Sequence, residues 1–140
     1  MPQWLRLAIM SDSSELPPVL DPTRLAEMTG NDASLAQEVI EIFREQSGIW
    51  VRMLNVDLPP GQWADAAHTL KGSASSVGAL RLAEVCGDVE NLGRRAAKET
   101  VSRAAIGVAL SDIKSELATA SEAVAKLSYH LSLSGRFSLS

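Results

Sequence analysis

Apolar residues recur at three- and four-residue spacings in four long stretches of this chain, and short breaker clusters separate the stretches. That spacing places apolar side chains along one side of an α-helix, whereas a half-buried strand needs strict alternation, which the sequence does not sustain. The breakers are Gly30, the run Pro59-Pro60-Gly61, Gly78 and the stretch from Gly93 to Thr100. The sequence therefore predicts an all-α chain.

The first two expected helices lie between Asp21 and Pro59. Asp21 can cap a short helix that has Pro22 at its first position, where a missing N–H is tolerated, and Gly30 ends it. Its apolar side consists of Leu25 and Met28. A long second helix follows, capped by Asn31, Asp32 or Ser34. We expect its apolar positions to form one buried face: Leu35, Val39, Ile42, Phe43, Trp50 and Met53.

Three further helices are expected after the proline cluster. The third runs from about Gln62 to Gly78, and its apolar stripe consists of Trp63, Ala67, Leu70, Ala74 and Val77. The fourth starts near Leu80 and ends at Gly93, and its stripe consists of Leu82, Val85, Cys86, Val89 and Leu92. The fifth runs from about Ser102 to Leu127.

Four amphipathic helices with short connections pack most simply as an antiparallel up-down-up-down four-helix bundle. The short first helix would then cap one end. We expect the bundle to occupy residues 19–127, behind a flexible N-terminal extension at 1–18. Residues 128–140 are serine-rich and lack a clear period, which predicts a loosely ordered tail with His130 on its surface.

Composition argues against several other classes of protein. The formal net charge is −4 and no run of Lys and Arg occurs, whereas nucleic-acid binding normally needs a basic surface. The apolar runs are much shorter than the roughly 20 residues of a membrane-spanning helix. The single cysteine, Cys86, cannot form an intramolecular disulfide, and we expect it in the core. A cytoplasmic protein that binds neither nucleic acid nor membrane is expected.

The third helix places one histidine on a face of small residues. Successive helical residues advance by about 100°, so the apolar stripe centres about 140° from His68. The residues within about 60° of His68 are Lys71, Gly72, Ser75 and Ala79. The expected exposed strip therefore combines a nucleophile, a cation and otherwise small side chains. An exposed helical histidine is usually only a solvated residue, but a strip this bare lowers helix propensity without adding burial.

Phosphoryl transfer gives three residues of the strip a task. A neutral imidazole nitrogen can attack a phosphoryl donor, and the loose transition state spreads charge over the equatorial oxygens. Lys71 lies about one turn from His68 and can reach those oxygens. Gly72 leaves room for a partner to approach.

The stretch from Ala67 to Ala79, AHTLKGSASSVGA, closely resembles the signature of the histidine-containing phosphotransfer (HPt) family. That signature runs His, any residue, Leu, Lys, Gly, a small residue or two, and then an apolar residue and Gly. Leu20-Asp21 with Leu25 resembles the family's first helix, and Ala83 to Glu90 its following helix. The resemblance covers about Val19 to Leu127.

The resemblance implies a four-helix bundle and a non-enzymatic phosphocarrier. His68 would be the phospho-acceptor and Lys71 would stabilise phosphoryl charge, while Gly72 would permit docking. The implied partners are receiver domains of response regulators and a hybrid or sensor histidine kinase. This chain would need no cofactor, since Mg²⁺ is expected on the receiver domain.

The resemblance leaves several neighbouring positions less defined. Docking would also involve the remaining strip residues and two residues of the fourth helix: Ser75, Ala79, Arg81 and Glu84. Some family members have a glutamine where this chain has Glu90. Glu90 would either orient the imidazole N–H or face solvent.

Two other functions remain open from the sequence. The chain could be the phosphotransfer piece of a larger histidine kinase, although it contains no glycine-rich ATP loop and is too short to include a nucleotide-binding domain. It could also be an adaptor bundle that binds receiver domains without chemistry. A metal site is disfavoured, because His68 has no second ligand at helical spacing and Lys71 would repel a cation. A monomer suffices for the expected chemistry.

Overall fold

The computed structural model describes residues 16–137, so residues 1–15 of the expected flexible extension lie outside the described part of the chain. The described range contains α-helices and a 3-10 turn at Val51–Met53 but no strand, which confirms the all-α prediction. The helices are α1 (Pro22–Met28), α2 (Ala33–Trp50), α3 (Pro60–Val77), α4 (Leu80–Ala96) and α5 (Arg103–Ser134).

Helices α2 to α5 form a closed ring, in which each helix contacts the next and α5 returns to α2. The most extensive contact joins α3 and α4, and α1 packs against α3 and α2. Gln37 near the start of α2 exchanges two hydrogen bonds with Ser128 near the end of α5, which shows that these helices are antiparallel. This arrangement is consistent with the predicted antiparallel four-helix bundle and with a short N-terminal helix packed on it.

The starts of α1 and α2 follow the capping signals in the sequence. The Asp21 carboxylate accepts a hydrogen bond of 3.1 Å from the Thr23 N–H, and Pro22 occupies the first helical position. Asp32, one of the three candidate caps of α2, accepts from the Leu35 N–H at 3.1 Å. Each side-chain oxygen satisfies a backbone donor that the helix itself leaves unpaired.

Gly78 ends α3, as predicted, and only glycine fits there. Its φ is +81°, a left-handed conformation, and its carbonyl accepts a hydrogen bond of 2.7 Å from the Asp21 N–H. A Cβ atom at this position would lie 2.1 Å from the Asp21 carbonyl oxygen. Gly78 therefore turns the chain from α3 into α4 and joins that turn to the start of α1.

The buried face of α2 differs from the expected one. Its buried residues are Ala36, Ile40, Phe43 and Ser47. The predicted Leu35, Val39 and Ile42 each directly precede one of these buried residues in the sequence. They therefore lie to one side of the buried face, and Ile42 is 58 % exposed. Met28 of α1 is also exposed, at 55 %. Part of the apolar surface of α2 therefore stays in solvent beside α3.

The end of α4 also differs, because Gly93 lies inside the helix and does not terminate it. Its backbone is buried against α3, where an added Cβ would lie 2.6 Å from the Ala64 Cβ and 2.8 Å from Trp63 Cζ3. Gly93 therefore allows α3 and α4 to pack closely at this point. The helix continues to Ala96.

The predicted loose tail is wrong for residues 128–134, which continue α5 as a helix to Ser134. Leu127, His130 and Leu131 extend the buried stripe at spacings of three and one, and His130 is only 8 % exposed instead of lying on the surface. Ser132 and Ser134 hide this periodicity in the sequence, because they occupy the solvent side of the last turns. Gly135, with φ of +68°, ends the helix.

Residues 16–137 include no helix with both the length and the apolar character needed to cross a membrane.

Candidate functional site

The structure places the His68 imidazole on the outer face of α3, with 68 % of the side chain exposed. The opposite face of α3 is fully buried through Trp63, Ala67 and Leu70, and this burial fixes the rotation of the helix. Gly72 is exposed beside His68, and a Cβ added to it would meet no other atom within 4 Å. The backbone at Gly72 therefore leaves this side of the imidazole open.

Glu90 of α4 holds one ring nitrogen of His68. The distances from His68 Nδ1 to the two carboxylate oxygens of Glu90 are 3.1 and 3.0 Å. Partial burial alone would raise the pKa of Glu90, but the hydrogen bond and charge of His68, together with Arg94, hold that pKa below its ordinary value. An ionised carboxylate only accepts, so Nδ1 carries the proton and donates. In this tautomer, the lone pair of the neutral ring is on Nε2.

Arg94 and Asp65 extend this pair into a cluster of four charged or polar side chains. An Arg94 guanidinium nitrogen lies 2.8 Å from Asp65 Oδ1 and 3.5 Å from Glu90 Oε2. Asp65 precedes His68 by three residues on α3, and Arg94 follows Glu90 by four on α4. The two helices thus contribute facing pairs, Asp65 with Arg94 and His68 with Glu90. We refer to these four residues as the charge cluster.

The sequence analysis did not identify Asp65 and Arg94. Helical spacing carries a signal for each, since residues three or four apart share a helix face. Nothing in the sequence showed that α3 and α4 would bring the two together. Gly93 makes this possible, because it allows the α4 backbone to approach α3 at the residue directly before Arg94.

The Lys71 side chain extends from α3 toward Gly87 of α4, beside the charge cluster. A Cβ added to Gly87 would lie 3.6 Å from Lys71 Nζ and 3.8 Å from its Cε. Cys86, the neighbour of Gly87, is fully buried, as expected for a core residue. Burial raises the pKa of its thiol to about 12, against a small lowering by the Lys71 charge, so the thiol is not a nucleophile near neutral pH.

Not all of the other residues expected on the docking surface are exposed. Ser75 is half-buried on α3 and Glu84 is exposed on α4. Ala79 is fully buried, so its predicted exposure is wrong. The helical rotation that placed it beside His68 stops at Val77, because Gly78 turns the chain.

Arg81, at the start of α4, binds the N-terminal segment that precedes α1. Its side-chain Nε donates to the Pro17 carbonyl at 3.2 Å, and its backbone N–H donates to the Pro18 carbonyl at 3.1 Å. The segment before α1 is therefore fixed at residues 17–18, and the predicted flexible extension does not include them.

An apolar groove borders the strip on the side away from α4. Its walls come from α1, α2 and α3, and the residues that line it are Met28, Val39, Ile42, Phe43, Ser73 and Ser76. Ser76 also donates to the Gly72 carbonyl at 3.0 Å, which connects the groove to the bare part of the strip. The imidazole thus has a charge cluster on one side and exposed apolar surface on the other.

The family model of the Hpt domain matches residues 33–125 of the chain. This match covers more than half of the 140 residues and includes α3 and α4 with the whole charge cluster. No curated protein and no solved structure matches the chain. The chain therefore belongs to the Hpt domain family, whose members are phosphocarriers that take part in histidine phosphotransfer in two-component signalling and interact with receiver domains.

Proposed function

We propose that His68 accepts a phosphoryl group on Nε2 from the phospho-aspartate of one receiver domain and transfers it to the aspartate of another. One observation carries this proposal: the exposed imidazole has its Nδ1 bound by Glu90 and its Nε2 free. A histidine that lacked such a partner would divide its population between two tautomers, whereas this ring is held ready for attack through Nε2.

The transfer step needs no proton to leave the site. The Nε2 lone pair forms the N–P bond while the bond from phosphorus to the donor aspartate oxygen breaks, and the aspartate leaves as a carboxylate. Nδ1 keeps its proton, so the phosphorylated ring is an imidazolium cation. The Glu90 carboxylate at 3.0 Å stabilises that cation, and transfer to the next aspartate reverses the same step.

Lys71 is proposed to stabilise the charge that develops on the phosphoryl oxygens. It lies one turn from His68, on the α4 side of the strip. The transition state of phosphoryl transfer is loose, so a nearby point charge contributes through electrostatics without covalent chemistry. The Mg²⁺ ion of the reaction belongs to the receiver domain.

A receiver domain is proposed to dock over Gly72 and Ser75 and on the apolar groove. Met28 and Ile42 expose more than half of their side chains there, and burying them against a partner would stabilise the complex. Glu84 would lie at the rim. The site comes from α3 and α4 of a single chain, so a monomer suffices for the proposed transfer. We propose that the carrier acts in the cytoplasm.

The test is phosphotransfer from phosphorylated receiver domains, taken from the same source organism, to the purified chain and to His68→Gln. We expect acid-labile, base-stable label on the wild type and none on His68→Gln, with both proteins equally folded by circular dichroism. Label that survives the substitution would place the acceptor elsewhere. Binding of receivers without any label would identify an adaptor, and label from ATP alone would identify a kinase.

A further inference from the structure

The distances within the charge cluster are unequal, and the inequality has a consequence for Glu90. Arg94 lies 2.8 Å from Asp65 but 3.5 Å from Glu90, whereas Glu90 lies 3.0 and 3.1 Å from His68 Nδ1. Arg94 is thus paired mainly with Asp65, and Glu90 mainly with the imidazole. We infer that Asp65 is a positioning residue, which holds Arg94 back from Glu90 and so reserves the Glu90 carboxylate for His68.

The packing of α3 and α4 makes this division of partners sensitive to Asp65. Arg94 follows Gly93, where the two helices pack closely, and its guanidinium has carboxylates within reach on both α3 and α4. A guanidinium forms its strongest bonds with carboxylates at 2.7–2.9 Å, about the distance to Asp65 and well below the distance to Glu90. Removing the Asp65 charge would leave Glu90 as the carboxylate that Arg94 can approach.

A closer Arg94–Glu90 pair would weaken the bond from His68 Nδ1 to Glu90, because both donors use the same carboxylate. Glu90 Oε2 already accepts from both of them. The proton of the neutral ring would then spend more time on Nε2, which is the nitrogen that must carry a lone pair to attack phosphorus. Asp65 thus acts on the reaction through two other side chains and does not touch the phosphoryl group.

The direct test is the tautomer of His68, read from ¹⁵N chemical shifts of the imidazole in the full chain at a pH where the ring is neutral. We expect the Nδ1–H form to dominate in the wild type and its share to fall in Asp65→Asn. Arg94→Met keeps the Nδ1–H form, since it removes the competing donor. The double variant Asp65→Asn/Arg94→Met returns to the wild-type tautomer.

Two matched controls separate this effect from a general loss of charge. Asp112→Asn removes an exposed carboxylate from α5. Arg95→Met removes an α4 arginine that pairs with Glu99, beyond the end of the helix, at 3.1 Å. Both should leave the His68 tautomer unchanged. A wild-type tautomer in Asp65→Asn, or a defect that persists in the double variant, would overturn the inference.

The second readout is the rate at which phosphoramidate phosphorylates His68. We expect Asp65→Asn to react about twofold to fivefold more slowly than Asp112→Asn, the range that partly exposed ion pairs reach. Equal rates in the two variants would contradict the role of Asp65. This inference rests on the proposed function for its importance, but the tautomer measurement needs no phosphoryl transfer. If His68 failed to accept phosphate, the proposed function would be wrong, but the tautomer measurement would still test the role of Asp65.

Discussion

Gly72 and Gly93 occupy helix interiors on neighbouring helices, yet their surroundings are opposite. A Cβ added to Gly72 meets no other atom within 4 Å, whereas one added to Gly93 would lie 2.6 Å from the Ala64 Cβ and 3.0 Å from the Pro60 carbonyl oxygen. Glycine lowers helix stability at both positions. At Gly93 the compensation is inside the molecule, through close packing of α3 and α4. At Gly72 the described structure offers no such compensation, which is why we assign the bare surface there to a partner.

This difference separates what holds the site together from what the site presents. The region around Gly93 sets the distance between α3 and α4, and with it the positions of Glu90 and Arg94 relative to His68. The region around Gly72 leaves the imidazole accessible. If the comparison is right, substitutions near Gly93 act first on folding, and substitutions near Gly72 act first on binding.

Gly93→Ala should give the largest effect on stability. The new methyl group cannot fit without moving Ala64, the Trp63 ring or the Pro60 backbone, and overpacking of this kind typically costs about 1–3 kcal/mol. Urea or thermal denaturation measures the loss of unfolding free energy. An unchanged midpoint would show that α3 and α4 are not in close contact at Gly93.

Gly72→Leu should act on the other side of the comparison. Its side chain would extend into the space that we assign to the partner, so the affinity for a cognate receiver domain should fall by about tenfold, or about 1.4 kcal/mol. Isothermal titration calorimetry measures the change. Gly72→Ala is the matched control, and it should raise the stability of the chain by about 0.5–1 kcal/mol through helix propensity. Unaltered affinity in Gly72→Leu would rule out docking over this strip.

Lys71→Ala should separate chemistry from folding at the junction of the two regions. We expect phosphotransfer to slow by about fivefold, as for the loss of about 1 kcal/mol of partly screened charge interaction. Unfolding free energy should change by less than about 0.5 kcal/mol, because Lys71 is exposed. Rapid-quench transfer assays and denaturation measure the two quantities. A destabilised protein with an unchanged transfer rate would reverse the assignment.

Glu90→Gln should have a small effect on stability that depends on pH. The folded protein lowers the pKa of Glu90, so the ionised carboxylate stabilises the fold above the ordinary value near 4.5 and this contribution is lost as pH falls through the lowered pKa. The stability difference between wild type and Glu90→Gln should therefore shrink as the pH falls below about 4.5. A difference that grew on acidification would contradict the interaction with His68.

The sequence was sufficient for those features that depend on a single helix. The caps Asp21 and Asp32, the turn at Gly78 and the buried stripe of α3 are local patterns, and the structure confirms them. The exposure of His68 follows from that stripe. The error at Ala79 has a local cause as well, since helical rotation was extended beyond a left-handed glycine.

Features that depend on two helices were beyond the sequence. Gly93 has the pattern of a helix terminator, and only the contact with Ala64 and Trp63 shows its packing role. Asp65 and Arg94 become partners through that same contact. The exposed side of α2 at Ile42 and the helical turns around His130 depend likewise on which neighbouring helix is close enough to cover them.

We propose that the imidazole reacts through Nε2 while Glu90 holds the proton on Nδ1. NMR of the ¹⁵N-labelled chain after phosphorylation by phosphoramidate tests it directly, through the coupling between phosphorus and the ring nitrogens. We expect phosphorus bonded to Nε2 of His68 and a proton still present on Nδ1. Phosphorus on Nδ1, or on any residue other than His68, would contradict it.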